Sequence, residues 1–114
     1  MIKYKELPRN PVEVTIRVIG CRWKILIIKE LLAGNKRFNE LKKGVTGISQ
    51  KVLTAKLREL EIDEIIKREV VCEKPLKVKY SLSEVGCTLL PVINSLNDWG
   101  KDYKKYIKLL EKMS

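Results

Sequence analysis

Gln50, Lys51, Thr54 and Arg58 bring groove-reading chemistry to one short stretch of the chain. At about 100° per residue they share a helical face with Ala55, while Leu53, Leu57 and Leu60 collect on the opposite face. In a duplex major groove, arginine pairs with guanine and glutamine with adenine, and lysine and serine mostly hold phosphates. Ala55 leaves room for close approach or for a thymine methyl. Ser49 stands where a helix N-cap is needed, and a helix N-terminus with free N–H groups suits a phosphate. Any solvated helix face carries charges, so the stripe alone decides nothing and its neighbours must.

Other chemistries find little to work with. The 114 residues contain no histidine, which removes His-based triads, His general bases and most zinc or iron sites. There is no Gly-rich phosphate loop, and the Asp and Glu pairs read as surface charge, so no enzyme is expected. Cys21, Cys72 and Cys87 are odd in number and form no C-x-x-C pair, so reduced thiols are expected and no disulfide framework or metal site. No cofactor is expected.

Charge points to a polyanion. Lys and Arg number 24 against 14 Asp and Glu, a formal +10. The excess is concentrated: residues 34–58 hold seven cations against one anion, and residues 59–65 hold four carboxylates and no cation. The runner-up reading, a basic RNA-binding protein, would use exposed rings for base stacking. Here aromatics total 6% and mostly fall on apolar seams. No apolar stretch reaches the roughly 18 residues of a membrane span, and the N-terminus lacks a signal-peptide core, so a cytoplasmic protein is expected.

The elements that would carry the stripe follow from punctuation and period. Asn10 and Pro11 open a short amphipathic helix with Val12, Ile16 and Ile19 on one side and Gly20 as its stop. Residues 23–33 are apolar on nearly every side and end at Gly34, which describes a covered central helix. Lys36 to Phe38 read as a short extended piece, and Asn39 reads as the cap of a brief third helix with Leu41 inward. A Gly-punctuated turn then leads to Ser49 and a helix to about Ile62, which together make a helix-turn-helix signal. Residues 66–72 and 77–82, rich in Val, Ile and Tyr around Pro75, read as a hairpin with Lys74 and Lys77 near its tip. Lys36, Arg37, Lys74 and Lys77 are the expected backbone contacts.

From Ser81 or Ser83 onward, apolar residues step by four and three through Val85, Leu89, Val92, Leu96, Trp99, Tyr103, Tyr106, Leu110 and Met113. This coiled-coil-like seam is longer than one small domain needs, so part of it is expected to meet a second subunit. Pro91 and Gly100 predict a kink or two helices. The fold class is therefore mainly α with a small β-hairpin wing, a winged helix-turn-helix in a single domain over 1–114. Residues 83–114 supply dimerisation helices, and 36–82 the helix-turn-helix plus wing. The homodimer interface expected on this seam uses Leu96, Trp99, Tyr103, Tyr106 and Leu110.

Residues 11–100 resemble the HxlR-type winged helix-turn-helix regulators, relatives of the MarR group. The resemblance rests on Pro11-Val12-Glu13, Ile19-Gly20 with Trp23-Lys24, Arg37-Phe38-Asn39-Glu40-Leu41, Gly47-Ile48-Ser49-Gln50-Lys51 with Leu53-Thr54, and Leu57-Arg58-Glu59-Leu60-Glu61. Arg68-Glu69-Val70, Pro75, Tyr80-Ser81-Leu82, Gly86 and Trp99-Gly100 continue it. It implies a non-catalytic homodimer on a pseudo-palindromic DNA operator, with the helix from Gln50 in the major groove and with the first helix, residues 1–20 with Val12 and Ile16, joining the last helices in the dimer contacts. A small-molecule or redox effector is a further expected partner. Two positions depart. Many members carry a cysteine just before the Pro-Val-Glu segment, where Asn10 stands here, so Cys21, near Lys24, becomes the candidate thiol sensor. Glu64 stands where members tend to have glycine. If a positive φ is needed there, a side chain costs on the order of 1 kcal/mol, so the turn after the recognition helix is expected to differ.

Overall fold

The computed structural model describes residues 3–114. After a 3-10 turn at Tyr4–Glu6 the order is α1 (Pro11–Ile19), α2 (Arg22–Leu32), β1 (Lys36–Arg37), α3 (Phe38–Gly44), α4 (Gln50–Ile62), β2 (Ile66–Glu73), β3 (Leu76–Leu82), α5 (Glu84–Cys87) and α6 (Leu90–Met113). The three strands form an antiparallel sheet in the order β1-β3-β2. This is the winged helix-turn-helix expected, with the short extended piece at Lys36 adding a third strand. Among the described residues no helix is long and apolar enough to cross a membrane.

Helix α1 starts as its punctuation predicts: Pro11 is the first helical residue, and the Asn10 side chain accepts from the Val12 N–H at 2.9 Å. Helix α2 is the centre of the core, with Ile27, Ile28 and Leu31 buried against Leu41, Leu53, Leu57 and Leu60. Helix α3 differs from expectation. It begins at Phe38, so Asn39 lies inside its first turn and Arg37 occupies the cap position. The Glu40 carboxylate reaches back to accept from the Arg37 N–H at 2.8 Å, which satisfies the helix start without a short polar cap.

The C-terminal region forms two helices, one of the two outcomes that Pro91 and Gly100 predict, but the break lies at neither residue. The chain breaks at Thr88 and Leu89, before Pro91, and α6 then runs unbroken through Gly100. Pro91 sits in the first turn of α6, where its missing N–H would have had no intrahelical partner. Leu89, Val92 and Ile93 pack on the core, so the first part of the apolar seam is intramolecular.

Helix α4 ends in a left-handed cap. Glu64 has φ 60°, its N–H donates to the Glu61 carbonyl at 3.0 Å, and the Ile65 N–H donates to the Leu60 carbonyl at 2.9 Å. The turn thus takes the glycine-like conformation with a glutamate in it, and the expectation of a different turn is corrected. Burial of Leu60 and Ile65 against the core holds the cap in place. Ser83 ties this turn to the C-terminal helices: its hydroxyl donates to the Glu64 carbonyl at 2.6 Å, and its oxygen accepts from the Gly86 N–H at 3.0 Å. A Cβ at residue 86 would lie 2.2 Å from the Ile65 carbonyl oxygen, so glycine is required for this approach. Glu64→Gly is expected to stabilise the fold by about 1 kcal/mol, a rise of roughly 4 °C in thermal midpoint. An unchanged or lower midpoint by calorimetry would show that Glu64 carries no strain.

Candidate nucleic-acid interface

Ser49 starts α4 by accepting from the Val52 N–H at 3.1 Å. Leu53, Leu57 and Leu60 anchor the helix in the core, which leaves Gln50, Lys51, Thr54, Ala55 and Arg58 exposed. The sequence-predicted stripe is therefore brought together on one outward face. The Thr54 hydroxyl donates to the Gln50 carbonyl at 2.9 Å, so its methyl group and remaining lone pair are what it offers a partner.

Lys56, between the two faces, is engaged elsewhere. Its Nζ lies 3.0 Å from Glu59 Oε2, and Nζ of the buried Lys24 on α2 lies 3.7 Å from the same oxygen. The hydrogen bond from Lys56 holds the Glu59 carboxyl below the usual carboxylate range, with the charge of Lys24 adding to it. The same bond raises the Lys56 ammonium. The Lys24–Glu59 contact joins α2 to α4, and the Lys56–Glu59 pair removes Lys56 from the free cations of the stripe.

Sheet register separates the expected backbone contacts. Lys36 and Arg68 both stand opposite Tyr80, and Arg37 and Glu69 both stand opposite Lys79. Directly opposed residues share a face, so Lys36 lies on the α4 side with Tyr80 and Arg68 while Arg37 lies on the other. Lys74 is in the hairpin turn, and Lys77 pairs with Cys72 beyond a register shift at Val70 and Cys72. The turn is roughly 17 Å along the wing from the Arg68 row at about 3.3 Å per residue. The four cations thus form no single cluster.

Arg68 was not among the expected contacts. It lines a cleft of about 450 Å³ with Gln50, Thr54, Arg58 and Glu61 of α4, floored by Phe38, Leu57 and Tyr80. The sequence signal was present in period-2 alternation, which puts Arg68 on the same strand face as buried Ile66.

A family model for the HxlR-like helix-turn-helix matches residues 18–108. The chain belongs to this family. YdeP, an HTH-type transcriptional regulator of Bacillus subtilis, is 50% identical over 101 residues, covering 89% of this chain and 79% of YdeP. The reduced form of the redox regulator HypR superposes with a TM-score of 0.81 at 42% identity, covering 87% of this chain and 98% of HypR. The reduced form of the regulator YodB from B. subtilis gives 0.72 at 38% identity, covering 90% of this chain and 95% of YodB. This chain is accordingly a transcriptional regulator of the HxlR helix-turn-helix type, and nothing among these relatives supports the RNA-binding alternative.

In this HxlR-family chain the residues expected at a dimer interface are all exposed. Val12 and Ile16 on α1, and Leu96, Trp99, Tyr103, Tyr106 and Leu110 on α6, face away from the core, with Trp99 68% exposed. Trp99 and Tyr103 stack with ring centroids 5.1 Å apart. Exposed apolar side chains at this spacing are costly in water. Cys21 occupies the N-cap position of α2, half-buried, and Cys87 is exposed.

Proposed function

We propose that this HxlR-type regulator binds duplex DNA as a homodimer at a pseudo-palindromic operator. Helix α4 enters the major groove with Gln50, Lys51, Thr54, Ala55 and Arg58 toward the base edges, while Ser49 and the start of the helix take a phosphate. Lys36, Arg37, Lys74 and Lys77 contact the backbone. The observation that carries this reading is the outward face of α4: polar, basic and small, fixed from behind by three buried leucines. Val12 and Ile16 of α1 and the α6 stripe join the two protomers, which sets two recognition helices against two half-sites. Regulation, with no catalytic step, is the role. An effector acting through a thiol enters at Cys21, and oxidant-sensitive duplex binding that Cys21→Ser abolishes is the test of that input.

Helix and wing should fail differently. A base-reading contact discriminates by about 1–3 kcal/mol, whereas a phosphate contact adds affinity without sequence preference. Gln50→Ala and Arg58→Ala are expected to flatten the preference for the operator over scrambled duplex. Lys77→Ala should weaken both duplexes by a similar factor. Affinities on DNA selected from a random duplex pool decide between them, and loss of preference in Lys77→Ala alone would reverse the assignment of roles.

A further inference from the structure

We propose that the cleft between α4 and β2 seats one backbone phosphate of the bound duplex, with Arg68 as the cation that holds it and the base-reading Arg58 on the opposite wall. This rests on the duplex-binding reading and adds a contact from the base of the wing, distinct from its tip. Arg58 rises from the helix and Arg68 from the strand, and both line the same cleft of about 450 Å³. Among the described residues neither guanidinium lies within 4.0 Å of a carboxylate, so both are free to receive an anion. The fork of the Arg68 guanidinium suits the bidentate geometry of a phosphodiester better than an ammonium group does, and Arg58 adds positive charge to the same cleft.

The position favours a backbone phosphate over a base. Base edges are met by the outermost face of α4, whereas Arg68 flanks the helix, where the sugar-phosphate strand bordering the groove would run. The backbone of Arg68 is also fixed, although its side chain is exposed. It sits opposite buried Tyr80 in the ladder and two residues beyond buried Ile66, while Lys74 hangs in an exposed turn. A cation on a fixed strand position has less backbone freedom to lose on binding than one in an exposed turn. Glu61 is the one carboxylate lining the cleft, and it opposes the anion that the arginines attract.

The test measures duplex affinity of the full chain by anisotropy at several salt concentrations, on selected and scrambled DNA, with circular dichroism and sedimentation confirming fold and assembly. Arg68→Ala is expected to weaken both duplexes roughly tenfold and to shallow the salt slope by about one unit. Arg68→Lys should keep the slope, and Glu61→Gln should tighten both duplexes. Binding and slope unchanged in Arg68→Ala, beside a wild type that binds, would overturn the phosphate seat and leave the function standing. A wild type that binds no duplex would overturn both. Inorganic phosphate is added in a parallel titration at constant ionic strength. Binding of inorganic phosphate that is lost in Arg68→Ala, with duplex affinity the same in both proteins, would make the cleft a small-anion site and overturn its assignment to the backbone.

Discussion

Replacing Trp99 and Tyr103 together by aspartate is expected to turn the dimer into a folded monomer and to cut duplex affinity by roughly 10²- to 10⁴-fold, the range lost when two linked binding events become separate. The two rings stack on the exposed face of α6 and contribute nothing to the core of their own chain, so the fold should survive their loss. An aromatic side chain buries on the order of 150–250 Å², which at about 25 cal/mol per Å² is an upper bound of roughly 4–6 kcal/mol for each ring. A micromolar dimer has only about 8 kcal/mol in total, and a carboxylate forced into the apolar seam adds a desolvation penalty. Light scattering at micromolar concentration reads the outcome. A folded double variant that is still dimeric would move the interface to Val12 and Ile16 of α1.

Duplex affinity is expected to fall by roughly 10³ to 10⁵ between 50 and 200 mM salt if each dimer makes about six to ten phosphate contacts. Each chain carries +10, so a dimer would carry +20. Of each chain's excess, a net +6 lies within residues 34–58, which include α3 and most of α4. Counterion release from the phosphates makes the dependence steep, and anisotropy titrations on a short duplex measure its slope. Single-stranded RNA of equal length serves as the competitor. Tighter binding to that RNA than to every duplex tried would replace the DNA reading with an RNA one.

Much of this arrangement was legible in local sequence, because local chemistry creates it. Asn10 and Pro11 start α1, Ser49 starts α4, and Leu53, Leu57 and Leu60 fix which side of α4 faces out. The glycine expected at residue 64 marked a backbone requirement correctly, although Glu64 meets it by adopting the left-handed conformation. What escaped depends on long-range placement. Gly100 costs an isolated helix about 1 kcal/mol, yet the 24-residue α6 continues across it, anchored at its start by buried Ile93. Asn39 looked like a cap, but Glu40 serves that start by reaching back to Arg37. For Arg68, period-2 alternation gives the strand face, but its neighbours across the sheet depend on register. The shift at Val70 and Cys72 prevents counting back from the hairpin turn, and only the paired ladder puts Arg68 opposite Tyr80 and beside Arg58.

The most direct measurement of the central claim, two recognition helices in successive stretches of major groove, is a dimethyl sulfate footprint of the selected operator. The reagent reports guanine N7 in the major groove and adenine N3 in the minor groove. The account predicts two patches of protected guanine N7, centred about 10 base pairs or a multiple of that apart on one face of the duplex, and lost in the Gln50→Ala, Arg58→Ala protein. Protection confined to adenine N3, with every guanine N7 as reactive as in free DNA, would contradict it.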